Sequence, residues 1–177
     1  MTNSSPEHEA WERVRYPSVV IPTFHSFEIA CPPGWTVQDA PDCLAVFLAP
    51  DDEAADFRPN LLIGADRLPE PVELADVAQV ALAEAAASFN AYAIDDEQWT
   101  EVAGEPTVRR VQSFTVPEVR ERLVQLEVLL LAPRRSQSTR ELFRIHATAT
   151  AAQRAQYADT FTTMVGTFVF VDLAANE

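Results

Sequence analysis

The stretch Arg122–Thr148, RLVQLEVLLLAPRRSQSTRELFRIHAT, decides the fold class. Two apolar runs, Arg122–Ala132 and Thr139–Thr148, flank a short link that contains proline, arginine and serine. Period-2 alternation on both sides of such a link predicts two antiparallel strands joined as a hairpin. Val124, Leu126, Val128 and Leu130 share one face of the first run, and Phe143, Ile145 and Ala147 share one face of the second. Gln125 and Glu127 lie on the opposite face, as do Arg144, His146 and Thr148. A register that matches apolar to apolar requires paired residue numbers with an odd sum, because a one-residue slip turns every side chain to the other face. A loop centred near Arg135–Ser136 then sets Glu127 opposite Arg144 and Gln125 opposite His146. These four form an expected polar cluster on the less buried sheet face.

The same alternation extends outward. Phe27–Cys31, Leu44–Ala49, Asn60–Arg67, Gln98–Val102 and Thr107–Val116 read as further strands, punctuated by Pro32-Pro33-Gly34, Pro50 and Pro69. Between them, Leu74, Val77, Ala81, Ala85 and Phe89 recur at helical period and predict a helix over Glu73–Tyr92. A second helix starts at a capping box, Thr150 with Gln153 three residues on, and carries Tyr157, Phe161 and Met164 on one face. Gly166 is the expected residue just past its end, and Thr167–Val171 a closing strand. Residues 1–18 are polar and aperiodic and read as a loosely held arm ahead of a single domain over 19–177. Trp11 and Tyr16 are the aromatic residues in that arm, expected to dock on its own domain or on a partner.

Composition narrows the chemistry. The 177 residues are 47% apolar, enough for a sizeable core without a metal or disulfide. All 13 cationic side chains are arginine, against 27 carboxylates, for a net charge of -14. Lacking lysine, the chain has no Schiff-base nucleophile and no P-loop lysine. Four separated glycines cannot build a glycine-rich phosphate cradle. A surface of this charge repels nucleic acid and anionic lipid. No apolar run reaches the length of a membrane span, and the N-terminus lacks a secretory pattern. The expected location is the cytoplasm, with Cys31 and Cys43 reduced and acting as small buried apolar residues.

His146, with Glu127 and Arg144 in reach, has the orienting carboxylate that a general base needs. Spacing brings no serine or cysteine to it, and a cross-strand polar pair is the stronger reading. Asp51-Asp52-Glu53 with Asp56, and Asp95-Asp96-Glu97, lack the ligand spacing of a calcium loop and read as solvated connections. Arg134, Arg135 and Arg140 at the hairpin tip form a candidate cationic patch for an acidic partner.

Several strings occur in a familiar order: FEIACPPGW (27–35), FRPNLLIGADRL (57–68), VAGEP (102–106) and FTTMVGTFVF (161–170). Together with the helix after Glu73, that order resembles the PsbP/Mog-like superfamily, and within it the LpqN-type lipoproteins of high-GC bacteria. The resemblance implies an α+β fold, an antiparallel sheet flanked by helices in an α/β/α sandwich. It also implies a non-enzymatic adaptor or chaperone-like role, since members with known roles mostly bind other proteins and no catalytic triad travels with the fold. The chain departs from the lipoproteins in having no signal peptide and no lipobox. The expectation is a cytoplasmic domain that binds a protein partner, without cofactor or metal and with homodimerisation open. A domain binding a small apolar ligand between sheet and helices, near Phe47, Phe89, Phe143 and Phe161, is the alternative.

Overall fold

The predicted hairpin lies at the centre of the sheet. In the computed structural model, which describes residues 23–52 and 55–171, strands β1 to β9 span Ser26–Glu28, Thr36–Ala40, Cys43–Leu48, Asn60–Pro69, Asn90–Val102, Glu105–Thr115, Leu123–Leu131, Thr139–Thr150 and Val169–Val171. Helices α1 and α2 span Leu74–Ser88 and Arg154–Gly166. Seven strands form one antiparallel sheet in the order β2-β3-β4-β8-β7-β6-β5, and β1 pairs with β9 in a second. The 1–18 arm with Trp11 and Tyr16 lies outside the described residues. Among the described residues no helix is long and apolar enough to cross a membrane.

Both faces of the large sheet are covered, which explains the near-continuous apolar run Val128–Ala132 in β7. On one face α1 packs Leu74, Val77, Ala78 and Ala81 against Val108, Leu129, Leu131 and Leu142. On the other, α2 supplies Phe161, Met164 and Val165 to a core built on Phe47, Leu61, Ile63, Val128, Phe143 and Ile145. The small sheet joins this second layer, where Phe27 stacks on Phe168 and Phe170 meets Phe143 edge-on. The α/β/α arrangement expected from the resemblance is therefore the one observed.

The β7–β8 register has the expected parity but is shifted by two residues. Glu127 faces His146, and Gln125 faces Thr148. The turn is centred between Ser136 and Gln137, one residue later than expected, and the same register continues past the end of β7, where Ala132 N donates to Glu141 O. Other differences are local. Strand β2 arises in a segment of weak pattern, with Val37 56% exposed at the sheet edge. Helix α1 stops at Ser88 because Phe89 turns extended and stacks on Phe114 at 4.0 Å between ring centroids. Asp95-Asp96-Glu97, expected as a connection, lies within β5, whose solvated outer edge tolerates carboxylates.

The capping box is formed: Thr150 N donates to Gln153 Oε1 and Gln153 N to Thr150 Oγ1, one turn ahead of α2. Gly166 is the last helical residue rather than the one beyond it, and Thr167 closes the helix by donating its hydroxyl to Met164 O. Cys31 is exposed, since β1 ends at Glu28 and leaves it in the following turn; Cys31 and Cys43 are unpaired.

The β5–β6 hairpin turns on Ala103 and Gly104, with φ of 55° and 78°. Positive φ at both positions matches a two-residue turn of type I′, which favours Asn-Gly. Ala103→Asn is expected to stabilise the protein by about 0.5–1 kcal/mol. Gly104→Ala, where a new Cβ meets no atom within 4 Å, should cost about 1 kcal/mol through backbone strain alone. Urea midpoints of the two variants check both signs.

Candidate functional site

Cross-strand pairing carries polar side chains into two adjacent rows under α1. Consecutive strands place Glu97, Arg110, Glu127 and His146 side by side from β5 to β8. Two residues along, the next row runs through Gln112, Gln125 and Thr148. Glu127 faces His146, while Gln125 lies in the neighbouring row opposite Thr148 rather than His146. Arg144 is not in either row. It faces Leu129 and pairs with Asp66 at 3.1 Å and Glu84 at 4.0 Å.

Arg110 is the centre of the first row and is only 1% exposed. Its Nη1 donates to Glu127 Oε2 at 2.6 Å and its Nε to Glu97 Oε2 at 2.9 Å, and Nη2 reaches Ala78 O in α1 at 3.3 Å. A guanidinium can serve three directions at once because its donors are fixed in a planar fork. Alanines at 78 and 81 let the helix come close enough to supply the carbonyl.

Glu127 is buried rather than solvated, correcting the expectation of a less buried face for it. Burial alone would raise its carboxyl pKa; the nearby His146 imidazole and the charge and hydrogen bond of Arg110 outweigh this and hold it below the ordinary glutamate value. His146 Nε2 lies 3.5 Å from Glu127 Oε1, without hydrogen-bond geometry. In the second row, the Tyr92 hydroxyl donates to Gln112, Gln112 to Gln125, and Gln125 to Thr148, at 2.7, 2.7 and 3.0 Å. Burial raises the Tyr92 pKa, as do Glu127 and Glu97, while Arg110 opposes them. The phenol therefore stays protonated and donates.

Sequence reading missed Arg110, Gln112, Glu97 and Tyr92. A usable signal was the pair Arg109-Arg110 inside a strand: adjacent residues point to opposite faces, so with both faces covered one arginine must be buried. It also missed a second buried pair. His25 donates its backbone N–H to Glu141 Oε2 at 2.8 Å, and its Nδ1 lies 2.7 Å from the same oxygen. Glu141 falls in phase with Phe143 and Ile145, and a carboxylate on an apolar face needs such a partner.

The hairpin-tip arginines are engaged within the chain. Arg134 pairs with Glu70 at 2.9 Å, and Arg140 bonds Ala132 O and lies 3.6 Å from Glu105. Arg135 also has an interaction within the fold. The four phenylalanines do not line one pocket. Phe47 and Phe143 fill the core, and Phe89 stacks on the opposite face. Phe161 alone of the four lines a cavity of about 160 Å3 between α2 and the sheet.

As chemistry, Glu127–His146 is an acid–base pair with no hydroxyl or thiol bonded to His146 Nε2. Among the described residues no group of His, Cys, Asp and Glu is arranged to hold a metal. The rows instead neutralise a buried cation and bind α1 to four strands.

No protein-family model matches the chain, and no curated protein matches it in sequence. Solved structures do match. LpqN of Mycobacterium tuberculosis, described as involved in cell envelope biogenesis, aligns with TM-score 0.69 and 12% identity over 85% of this chain and 87% of that one. The cyanobacterial PsbP of Synechocystis gives 0.55 and 14%, over 82% and 86%. The Ran-binding protein Mog1p of Saccharomyces cerevisiae gives 0.53 and 15%, over 82% and 90%. The fold is PsbP/Mog-like.

Arg110→Met should lower the unfolding free energy by about 3–5 kcal/mol, because it leaves Glu127 buried without its main cation. Arg110→Lys should recover only part, since an ammonium cannot fork. Denaturant melts measure both, and a loss under about 1 kcal/mol for Arg110→Met contradicts the assignment. Glu127, with its pKa lowered by folding, contributes stability that is fully present above about pH 4.3 and is lost as pH falls through the lower folded value. The stability gap between the wild type and Glu127→Gln should therefore be largest near neutrality and shrink in acid.

Proposed function

We propose that this chain is a non-enzymatic, cytoplasmic protein-binding domain of adaptor or chaperone-like type. The carrying observation is strand β5. It runs for 13 residues at the sheet edge and pairs only with β6 among the described residues. Beyond its irregularities near Asn90 and Ile94, the register from Asp96 to Val102 is unbroken. Trp99 lies in this stretch with 58% of its surface exposed, and Glu97 and Glu101 flank it on the same face. An unpaired edge offers backbone donors and acceptors to an incoming strand, and an exposed tryptophan offers the rigid apolar anchor common at interaction hot spots.

The charge of the edge selects the partner. Asp95, Asp96, Glu97 and Glu101 all lie on β5, and the strand has no cation of its own. Two such edges repel each other, which disfavours self-pairing through β5. An extended segment of another protein, with cationic residues alternating with apolar ones, satisfies both the edge and the indole. That the Mog1p neighbour is a Ran-binding protein supports a protein-binding reading of the same fold. The arm with Trp11 and Tyr16, and the tip arginines Arg134, Arg135 and Arg140, remain proposed secondary contacts.

A synthetic peptide of alternating Lys and Val should bind the full chain and slow hydrogen exchange of β5 amides facing away from β6. Trp99→Ala should weaken binding about tenfold, the scale of a modest hot spot. Raising salt to about 1 M should weaken it further. Equal binding by a Glu/Val peptide, or protection elsewhere than β5, would overturn the proposal.

A further inference from the structure

The cavity under α2 has a construction that packing alone does not explain. Its floor is two consecutive cross-strand rows, Val111–Leu126–Ala147 and Val124–Ala149. Its roof is one stripe of α2, Arg154, Ala158, Phe161 and Thr162, spaced at i, i+4, i+7 and i+8. Along the same face of β8 the side chains shrink from Phe143 and Ile145 to Ala147 and Ala149. Ala158 on the helix is equally small, and these short side chains leave a space of about 160 Å3 between helix and sheet. The floor is largely buried while Arg154, Ala158 and Thr162 on the helix side are exposed, so the space is a half-open groove; a space of about 150 Å3 is large enough to take a benzene ring.

Two guanidinium groups stand at the rim. Arg109 extends from β6 on this face, and its Nη2 donates to Thr162 Oγ1 at 3.2 Å. The other donors of Arg109 have no acceptor among the described residues. Arg154 lies 3.5 Å from Asp95, which offsets part of its charge. Arg109, unlike Arg154, has no carboxylate partner among the described residues, in a chain whose net charge is strongly negative.

We infer that this cavity binds a small organic carboxylate with an apolar body about the size of one ring. The body fills the space over Ala147 and Ala149, and the carboxylate accepts from Arg109 at the rim. Paired N–H groups of a guanidinium match a carboxylate in geometry as well as charge. The inference is independent of the β5 edge, which lies outside the cavity lining.

The test is titration of the full chain with benzoate, and with benzyl alcohol as its uncharged counterpart, followed by amide NMR shifts. Saturable benzoate shifts confined to α2 and to the floor residues are expected, with benzyl alcohol about tenfold weaker for want of the charged hydrogen bonds. Ala158→Leu should abolish binding of both while leaving the thermal midpoint unchanged, because Ala158 is exposed on the helix and the larger side chain blocks the groove. Ala149→Leu serves as a second filling variant should the first perturb the helix. Arg109→Gln should bring benzoate down to the level of benzyl alcohol. Absence of saturable shifts, shifts that persist in a folded filling variant, or benzoate binding unaffected by Arg109→Gln would each overturn the inference.

Discussion

The Arg110 guanidinium, buried between Glu97 and Glu127 and bonded to the Ala78 carbonyl, is the constraint on which the arrangement of this domain depends. A buried cation without partners is intolerable in a low-dielectric interior, so three separate elements must converge on it. Strand β5 must bring Glu97 to one side and β7 must bring Glu127 to the other. Helix α1 must approach closely enough to offer a backbone oxygen. The connection from β4 through α1 to the far edge strand thereby acquires a fixed end point. Apolar packing alone would tolerate a helix sliding over Leu129 and Leu131; the hydrogen bond to Ala78 sets its position.

The same requirement fixes strand register. A shift of two residues in β7–β8 pairing keeps every apolar side chain on its proper face, and for that reason the period-2 pattern could not distinguish Glu127–Arg144 from the observed Glu127–His146. Only the long-range pairing, with Arg110 opposite Glu127 on one side and His146 on the other, resolves the degeneracy. Fold class, the identity of β3, β4, β6, β7 and β8, and the capping box of α2 were legible because they rest on local periodicity or local hydrogen bonds. Residues that act across several strands were not. Arg110 and Glu97 look like surface charges until the tertiary fold covers the first and leaves the second half-exposed.

Edge strands were the other illegible part, and for a related reason. Burial imposes alternation, and β2 and β5 are barely buried. Asp95-Asp96-Glu97 reads as a loop because its carboxylates suit water, and at an outer edge water is what they meet. Two of the three also answer cations, Asp95 at Arg154 and Glu97 at Arg110. The negative charge of the chain is thus concentrated partly along an open hydrogen-bonding edge. On the proposed reading, that charge disfavours association between like copies and leaves the edge to a cationic segment.

Arg109 and Arg110 show how one dipeptide organises both layers. Neighbours in a strand point to opposite faces, so Arg110 reaches into the α1 layer and Arg109 into the α2 layer. Arg110 meets two carboxylates and a helix carbonyl and is fully enclosed. Among the described residues Arg109 hydrogen-bonds only the Thr162 hydroxyl, next to a groove floored by valine, leucine and alanine. On the α1 side electrostatic demand is met within the chain, and the helix is held tightly. On the α2 side short side chains leave a groove between helix and sheet, and the Arg109 guanidinium makes one hydrogen bond among the described residues. The asymmetry between the two faces follows from which arginine has internal carboxylates: the first face is closed by its own charges, and the second is, on the inference drawn above, where a ligand completes the packing.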